Sequence, residues 1–347
     1  MPRVVGIDPG TVSIDVCGLA GGKLVIDRSW PTADVLADPT GFAAALSEHG
    51  APGLVAGLSG YGLPLRRAAE TSDHDLRLAF LARKGEQGGI GGLRLLTRAL
   101  ADAGLPLALL PGVIHLDTVP EHRKINRIDM GTADKLCAAA LGIHDQAVRL
   151  GAHARDTAFV LLELGGAFTA AIAVQAGQVV DGIGGSSGPI GWQAAGALDG
   201  EVAYLAGTVD KAMLFQGGVT TVAASDRHAA GAGFDAFIEG AAKAVRQLLV
   251  SAPLAREVMV SGRIASDPAV RERLAAALGD LPVRHLTGFA SHGKQGAQGA
   301  ALLADGLAGG THREIVDIMR IREASGTVLD HLYVITPDAA RRALDLA

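Results

Sequence analysis

Residues 6–13 read GIDPGTVS, and this stretch decides the fold. The β-branched run that leads into it predicts a buried strand ending on the acid Asp8. Pro9 and Gly10 then predict a tight turn, because proline and glycine supply backbone angles that turns need. Three predicted strands follow from this pattern: residues 4–7, 12–19 and 23–30. The beginning of the chain therefore predicts a three-stranded meander.

The same pattern recurs in the second half of the chain. An apolar run carries the acid Glu163 near its end, and a pair of glycines follows as a turn. Subtracting 8 from 163 gives 155, which is also the separation of the hairpin glycines Gly22 and Gly177. The second predicted meander comprises residues 159–164, 168–174 and 178–183. Self-similarity at one offset indicates an internal duplication, so we expect two domains of related fold.

The rest of each half alternates between helix and strand patterns. The predicted helices are residues 42–49, 87–103, 132–141, 234–250, 268–278 and 297–307, and the predicted strands are residues 53–58, 107–110, 113–116, 257–260 and 282–286. A meander followed by alternating elements predicts an α/β fold with a mixed sheet in each half. We place the domains at residues 1–152 and 153–347, the second with a C-terminal helical extension.

Composition excludes several classes of protein. The chain has 347 residues, 49% hydrophobic and 19% charged, which excludes intrinsic disorder. Two cysteines exclude a disulfide scaffold and a multi-cysteine metal site. A net charge of −5 gives no electrostatic basis for binding nucleic acid or an anionic membrane. No signal peptide or spanning run is recognisable, so we expect a cytoplasmic protein.

Both glycine turns place a carboxylate beside backbone N–H groups, a combination that suits phosphate and magnesium. Asp8 and Glu163 are the candidate magnesium ligands. The candidate phosphate-binding residues are Gly10, Thr11 and Ser13 in the first turn, and Gly165, Gly166 and Thr169 in the second. Either turn alone could be an ordinary hairpin. Their matching places in a duplication favour a site in which both turns hold one polyphosphate.

Residues 115–134 concentrate charged side chains and could line the phosphoryl acceptor or form a solvated loop. An acceptor with a hydroxyl needs a base, for which Asp129 is the candidate. An acceptor with a carboxylate needs a cation instead, for which Arg127 or Arg123 is the candidate. Asp129 could also cap the helix that follows it.

Two further glycine clusters stand out. Residues 181–189 read DGIGGSSGP, and Gly184, Gly185 and Ser186 could contact phosphate or ribose, the alternative being a surface loop. Residues 85–92 lack the Lys-Ser/Thr ending of a P-loop, so we interpret them as an ordinary loop.

Five motifs, in order along residues 3–307, resemble those of the acetate and sugar kinase, actin and chaperone superfamily. They are the two phosphate loops (residues 6–11 and 163–169), the adenosine motif (residues 258–263) and two connecting helices (residues 131–135 and 296–302). The resemblance implies two ribonuclease H-like, or actin-like ATPase, domains with ATP and Mg²⁺ in the cleft between them. It assigns Gly262 and Arg263 to the nucleotide site.

The chain also resembles an uncharacterised family in this superfamily described as predicted butyrate kinases. This resemblance implies an ATP- and magnesium-dependent kinase that acts on a short-chain carboxylate, and it suggests a homodimer. Asp8 stands where carboxylate kinases carry asparagine and agrees with sugar kinases, so a sugar-like acceptor stays open. A non-kinase ATPase that acts as a regulatory switch would carry the same nucleotide motifs.

Overall fold

Two β-sheets form the framework of the protein. The structure is a computed structural model and describes residues 3–10, 12–48, 50–57, 60–86, 92–225 and 231–346. The strands of the first sheet are β1 (Arg3–Pro9), β2 (Ser13–Ala20), β3 (Lys23–Pro31), β4 (Leu54–Gly57), β5 (Arg66–Arg67) and β6 (Leu107–Leu109). The strands of the second sheet are β7 (Ala158–Leu164), β8 (Thr169–Gln175), β9 (Gln178–Ile183), β10 (Val258–Ser261) and β11 (Val283–His285).

The two sheets have the same topology. The first has the order β3-β2-β1-β4-β6-β5, and the second, taken from its β9 edge, has the order β9-β8-β7-β10-β11. In each sheet the meander pairs antiparallel, and the next two strands in the order run parallel to the first strand of the meander. The first sheet has one further strand, the short β5, which pairs antiparallel with β6. Two related mixed sheets are therefore present, as the repeated meander predicted.

An irregularity in the strands is duplicated as well. The ladder between β2 and β3 shifts register between Gly18 and Leu19. The ladder between β8 and β9 shifts register between Ala173 and Val174. Adding 155 to the first pair gives the second, so even the bulge lies at the offset that the sequence gives for the two turns.

Helices pack on both sheets and form three apolar cores. They are α1 (Thr32–Ala37), α2 (Pro39–Ser47), α3 (Asp73–Phe80), α4 (Leu93–Asp102), α5 (Glu121–Lys124), α6 (Ala133–Leu150), α7 (Gly200–Ala206), α8 (Val219–Ala223), α9 (Ala232–Leu249), α10 (Pro268–Leu278), α11 (Gln295–Leu307), α12 (Arg313–Ile318) and α13 (Pro337–Ala343). One apolar core packs α2 and α4 on the first sheet, another packs α9 and α10 on the second, and a third surrounds α6 and α11.

The two central helices exchange sheets. Helix α6 follows the first sheet in the chain but packs on β7 and β8, whereas α11 follows the second sheet but packs on β1, β2 and β4. The helices also pack on each other, at a contact that only glycine permits, because a Cβ atom on Gly299 of α11 would lie 1.7 Å from the carbonyl oxygen of Cys137 on α6. The packing of α11 on β1 is equally close, because a Cβ atom on Gly6 would lie 2.2 Å from the amide nitrogen of Ala301.

Some sequence predictions need correction. Residues 113–116 were predicted to be a strand, but Val113–His115 form a 3₁₀ turn, in which the amide of His115 donates to the Gly112 carbonyl and that of Leu116 to the Val113 carbonyl. The helix predicted to end at residue 141 continues to Leu150, where Gly151 takes a left-handed conformation and ends it. Helix α4 begins at Leu93, and residues 87–91 of its predicted start lie outside the described residues.

We propose a domain boundary after residue 152, since the strands of the first sheet precede it and those of the second follow it.

None of the helices in the described ranges has the length and apolar character that crossing a membrane requires.

Candidate active site

The two glycine turns have the same hydrogen-bond geometry. The Gly10 amide donates to the Ser13 carbonyl at 2.8 Å, and the Gly165 amide donates to the Phe168 carbonyl at 3.0 Å. Space for a ligand is open at the second turn, since a Cβ atom on Gly166 would have no neighbour within 4 Å among the described atoms. Thr11 of the first turn lies outside the described residues.

Asp8 is a buried carboxylate with no partner among the described residues. It is the penultimate residue of β1 and is 8% exposed, and its side chain makes no hydrogen bond or ion pair with any residue that the structure describes. Burial and the charge of Asp134 raise the pKa of Asp8 to about 7, although the ammonium groups of Lys294 and Lys135 oppose this. A carboxylate that is desolvated and unpartnered in this way is suited to bind a cation.

Glu163 lies in a charge cluster at the end of β7. The Nζ atom of Lys135 is 3.3 Å from Glu163 Oε1 and 2.5 Å from Asp134 Oδ2. Burial raises the pKa of Glu163, while Lys135 opposes the rise. Burial lowers the pKa of Lys135, but the two acids outweigh it and the net shift is upward. Lys135 is therefore held as a cation between the elements that carry both turns.

Electrostatic interactions connect Asp8 with Glu163, because the charge of Glu163 contributes to the raised pKa of Asp8 and the charge of Asp134 acts to raise the pKa of both acids. In the described residues no group of three or more His, Cys, Asp or Glu side chains could hold a metal by itself. Mg²⁺ is commonly bound by one or two carboxylates, with substrate phosphates and waters completing its shell. The pair of acids fits a magnesium ion of that kind.

Four charged residues of this site escaped the sequence reasoning: Asp15, Asp134, Lys135 and Lys294. Asp134 and Lys135 stand at the start of α6, and Lys294 immediately precedes α11. For Asp134, Lys135 and Lys294, the signal that could have found them is their position at the start of the two connecting helices. Asp15 lies on β2, and no motif marks it.

The predicted adenosine motif, residues 258–263, consists of β10 and the two residues after it. Gly262 has a φ of +91°, and a Cβ atom there would lie 2.5 Å from the Leu164 carbonyl oxygen, so only glycine fits. Arg263 is exposed. Ser261 pairs with Glu163 in the ladder, and its Oγ is buried without a hydrogen-bond partner in the part of the chain described. This hydroxyl is a further polar group beside the second turn.

Asp129 fastens the loop that contains Gly184, Gly185 and Ser186. Its Oδ2 accepts hydrogen bonds from the amide of Ser186 at 2.9 Å and from the Ser186 hydroxyl at 3.0 Å. Its Oδ1 accepts from the Gly131 amide at 3.1 Å. The helix that follows is capped at Thr132, not at Asp129. Asp129 therefore ties the first half of the chain to a loop of the second.

The same loop adjoins the second turn. A Cβ atom on Gly185 would lie 2.5 Å from Phe168 Cβ, and one on Gly188 would lie 3.3 Å from the Thr169 carbonyl oxygen. Thr169 is fully buried and donates its hydroxyl to Ile190 at 3.1 Å. Its side chain is thus occupied within the protein, whereas the neighbouring turn remains open.

Tyr61 joins this region from the first half. Burial and the Asp129 carboxylate raise the pKa of Tyr61 to about 12, against the effect of a hydrogen bond with Ser186. Sequence reasoning missed this tyrosine, since no motif surrounds it.

Arg127 faces a cavity of about 510 Å³ beside this loop. Residues from both halves line the cavity, among them His122, Arg123, Arg127, Ser187 and Gly188. Arg123 donates to the Val180 carbonyl at 2.6 Å and so secures the edge of the second sheet. Arg127 is exposed, and its guanidinium has neither a hydrogen bond nor an ion pair with the described residues. Of the two arginines, Arg127 is the one free to bind a ligand.

A segment of the second half reaches across to the first. Lys211 donates to the Phe80 carbonyl at 2.7 Å, and the ring of Phe215 packs edge-on against Phe168 with 4.9 Å between centroids. Phe168 belongs to the second turn, so this segment connects that turn with the first half.

Comparisons with known structures establish the fold. An acetate kinase from Entamoeba histolytica matches with a TM-score of 0.57 and 11% identity, over 79% of this chain and 85% of that chain. An acetate kinase from Porphyromonas gingivalis matches with a TM-score of 0.52 and 11% identity, over 79% of this chain and 86% of that chain. The chain therefore has a two-domain, actin-like ATPase fold, as these acetate kinases do, which confirms the predicted fold class.

The sequence itself matches one family. The model of a family described as "Protein of unknown function (DUF1464)" matches residues 6–334, so the chain belongs to that family. A search of curated proteins finds no match.

Proposed function

We propose that this member of the DUF1464 family is an ATP- and magnesium-dependent phosphotransferase that phosphorylates a small carboxylate, as a butyrate kinase does. One observation carries the proposal: two equivalent glycine turns each follow an acid, and the two acids belong to one electrostatic cluster. Phosphoryl transfer requires alignment and charge neutralisation rather than covalent chemistry by the protein. Two turns and two acids supply both.

The turns would hold the phosphates of the nucleotide. Backbone N–H groups in such concave turns bind anions, and the open space at Gly166 leaves room for phosphate oxygens. Ser13 and Thr11 would add hydroxyl donors at the first turn. Gly262 would let a purine lie close to the end of β10, with Arg263 beside it.

Asp8 and Glu163 would hold a magnesium ion. When bound, this ion neutralises charge on the phosphates and aligns them for in-line transfer. The carboxylate of Asp8 is desolvated and has no partner among the described residues, so a cation would supply one. Lys135 would keep Glu163 ionised and oriented.

The state of Asp129 favours a carboxylate over an alcohol as the acceptor. A general base must present a free lone pair to the substrate proton. Asp129 is 7% exposed, and three of its about four acceptor positions are taken by Gly131 and by two groups of Ser186, so we assign it to holding the loop. A carboxylate acceptor needs no base, and the free guanidinium of Arg127 would bind it in two-point geometry. Asp129 would then act as a positioning residue.

A coupled assay of ADP release tests this function. We expect short-chain carboxylates to stimulate turnover above the basal rate and Arg127→Gln to weaken the stimulation. The exposed arginine Arg342 on α13 provides the matched control, Arg342→Gln. Stimulation by sugars alone would instead support a sugar kinase, and ADP release that no acceptor stimulates would support an ATPase switch. We also propose that the protein is cytoplasmic and that it forms a homodimer. Sedimentation tests whether it is a dimer.

A further inference from the structure

Lys294 reaches the first turn from the connecting helix of the opposite half. Its Nζ donates to the Ser13 hydroxyl at 2.7 Å and lies 2.6 Å from Asp15 Oδ2. A Cβ atom on Gly10 would lie 3.0 Å from the same nitrogen. The ammonium group is therefore part of the turn that would hold the nucleotide phosphates.

Asp15 holds this ammonium group in place through an ion pair. Asp15 is 2% exposed, lies opposite Asp8 in the β1–β2 ladder and also accepts the Ser13 hydroxyl at 2.9 Å. A buried carboxylate that makes these contacts anchors a lysine without covering it. The side chain of Lys294 accordingly remains 43% exposed.

The backbone that carries Lys294 is anchored as well. The amides of Ser291, His292 and Gly293 all donate to the carboxylate of Asp27 on β3, at distances from 2.6 to 3.1 Å. The residues immediately before Lys294 are thus fixed to the same meander that forms the first turn. A lysine held from both ends, with its ammonium at the turn, is preorganised for an anion.

The other lysine of the site is arranged differently. Lys135 lies against Asp134 and Glu163 and has these two half-buried acids as its partners. Lys294 combines an ion pair on one side with exposure on the other. Of these two cations, Lys294 is the one placed to meet a ligand.

We propose that Lys294 is a catalytic residue that contacts the terminal phosphates of the nucleotide, and that Asp15 is its positioning residue. The inference rests on the proposed function and extends it. In the transfer, an electron pair of the acceptor oxygen forms the new bond to the terminal phosphorus. The bond from that phosphorus to the bridging oxygen breaks, and the bridging oxygen keeps the electron pair and remains on ADP. Lys294 retains its proton and stabilises the charge that develops on these oxygens.

Calorimetry with AMP, ADP and ATP in the presence of magnesium tests the contact. We expect Lys294→Gln to leave AMP binding unchanged within twofold and to weaken ATP binding at least tenfold, with ADP between them. Lys23→Gln, at an exposed lysine of β3, is the matched control and should bind all three as the wild type does. A wild-type protein that does not bind ATP would contradict the proposed function itself. Wild-type binding with an unchanged Lys294→Gln variant would contradict only the role of Lys294.

A double variant separates this role from a structural one. If Lys294 served only to neutralise buried Asp15, Lys294→Met would lower the melting temperature, and Asp15→Asn with Lys294→Met would restore both stability and ATP affinity. We expect the double variant to recover the melting temperature while ATP binding stays at least tenfold weaker and basal turnover stays low. Recovery of ATP affinity in the double variant would overturn the proposal.

Discussion

Gly10 and Gly165 close equivalent turns 155 positions apart, each donating its amide to the carbonyl of the residue three positions later. The acid two positions before each glycine, Asp8 or Glu163, is the penultimate residue of the first strand of its sheet. Exchange of the central helices α6 and α11 between the sheets then brings the two strand ends to one site. The duplication therefore builds a single site from two copies of one turn.

The contact between the central helices predicts a large loss of stability on adding one methyl group. Gly299→Ala would place a Cβ atom 1.7 Å from the Cys137 carbonyl oxygen, where backbone must shift. We expect the free energy of unfolding to fall by about 3 kcal/mol in urea denaturation. Gly200→Ala is the control, because a Cβ atom there meets no described atom within 4 Å, and it should be neutral or stabilising. Equal effects of the two substitutions would contradict this packing.

Asp27 predicts a specific pH dependence of stability. Burial raises the pKa of Asp27, but the amides of Gly293, Ser291 and His292 outweigh it, so the pKa lies below its ordinary value. The stabilisation is therefore complete above the unfolded pKa of about 3.9 and is lost as the pH falls through the folded value. Asp27→Ala should cost about 2 kcal/mol at pH 7, measured by urea denaturation, and progressively less below pH 4. A difference that grows on acidification would refute the assignment.

The contacts of Glu257 indicate how much the packing of α6 on the second sheet contributes to the free energy of unfolding. It is 8% exposed and accepts from Gln146 at 2.5 Å, from Arg284 at 2.9 Å and from Arg149. We expect Glu257→Ala to lower the free energy of unfolding by about 3 kcal/mol, because several partners lose a shared acceptor. Glu239→Ala, which removes an exposed ion pair with Lys243, should change it by less than about 0.5 kcal/mol.

We predict that a substitution of Asp129 impairs acceptor-dependent turnover and leaves nucleotide binding nearly unchanged. Asp129→Ala frees the Ser186 loop, and we expect acceptor-dependent ADP release to fall on the order of 100-fold because the loop loses its position. ATP affinity measured by calorimetry should remain within about threefold, since the acids and turns are untouched. Asp156→Ala, at a surface 3₁₀ turn, is the control. Equal losses of turnover and ATP affinity would argue against this division of roles.

Much of the fold could be predicted from the sequence, because the strands of each meander are short apolar runs that end in glycine turns. The 155-residue offset is visible in the sequence at Asp8 and Glu163, and the structure reproduces it in topology and bulges. Residues 113–116 misled because β-branched residues favour strands, whereas local hydrogen bonds after Gly112 wind them into a 3₁₀ turn.

The site was only partly predictable, for a physical reason. Asp8, Glu163 and the turn glycines lie within continuous motifs, so local spacing reveals them. Lys294 and Asp15 meet across 279 positions of sequence (294 minus 15), and only the packing of α11 on the first sheet joins them. Asp129 looked like a free acid, and its partners became visible only with the loop at Ser186 in place.

Calorimetric titration of magnesium and ATP into the wild type and Asp8→Asn tests the central claim most directly. Asparagine keeps the shape of Asp8 but removes the charge, so the variant should unfold at the same or a higher temperature because it removes a buried carboxylate that has no partner among the described residues. We predict that wild-type protein binds one Mg·ATP and that Asp8→Asn binds it at least tenfold more weakly, a loss of about 1.4 kcal/mol or more. Equal affinity of the two proteins would contradict the account.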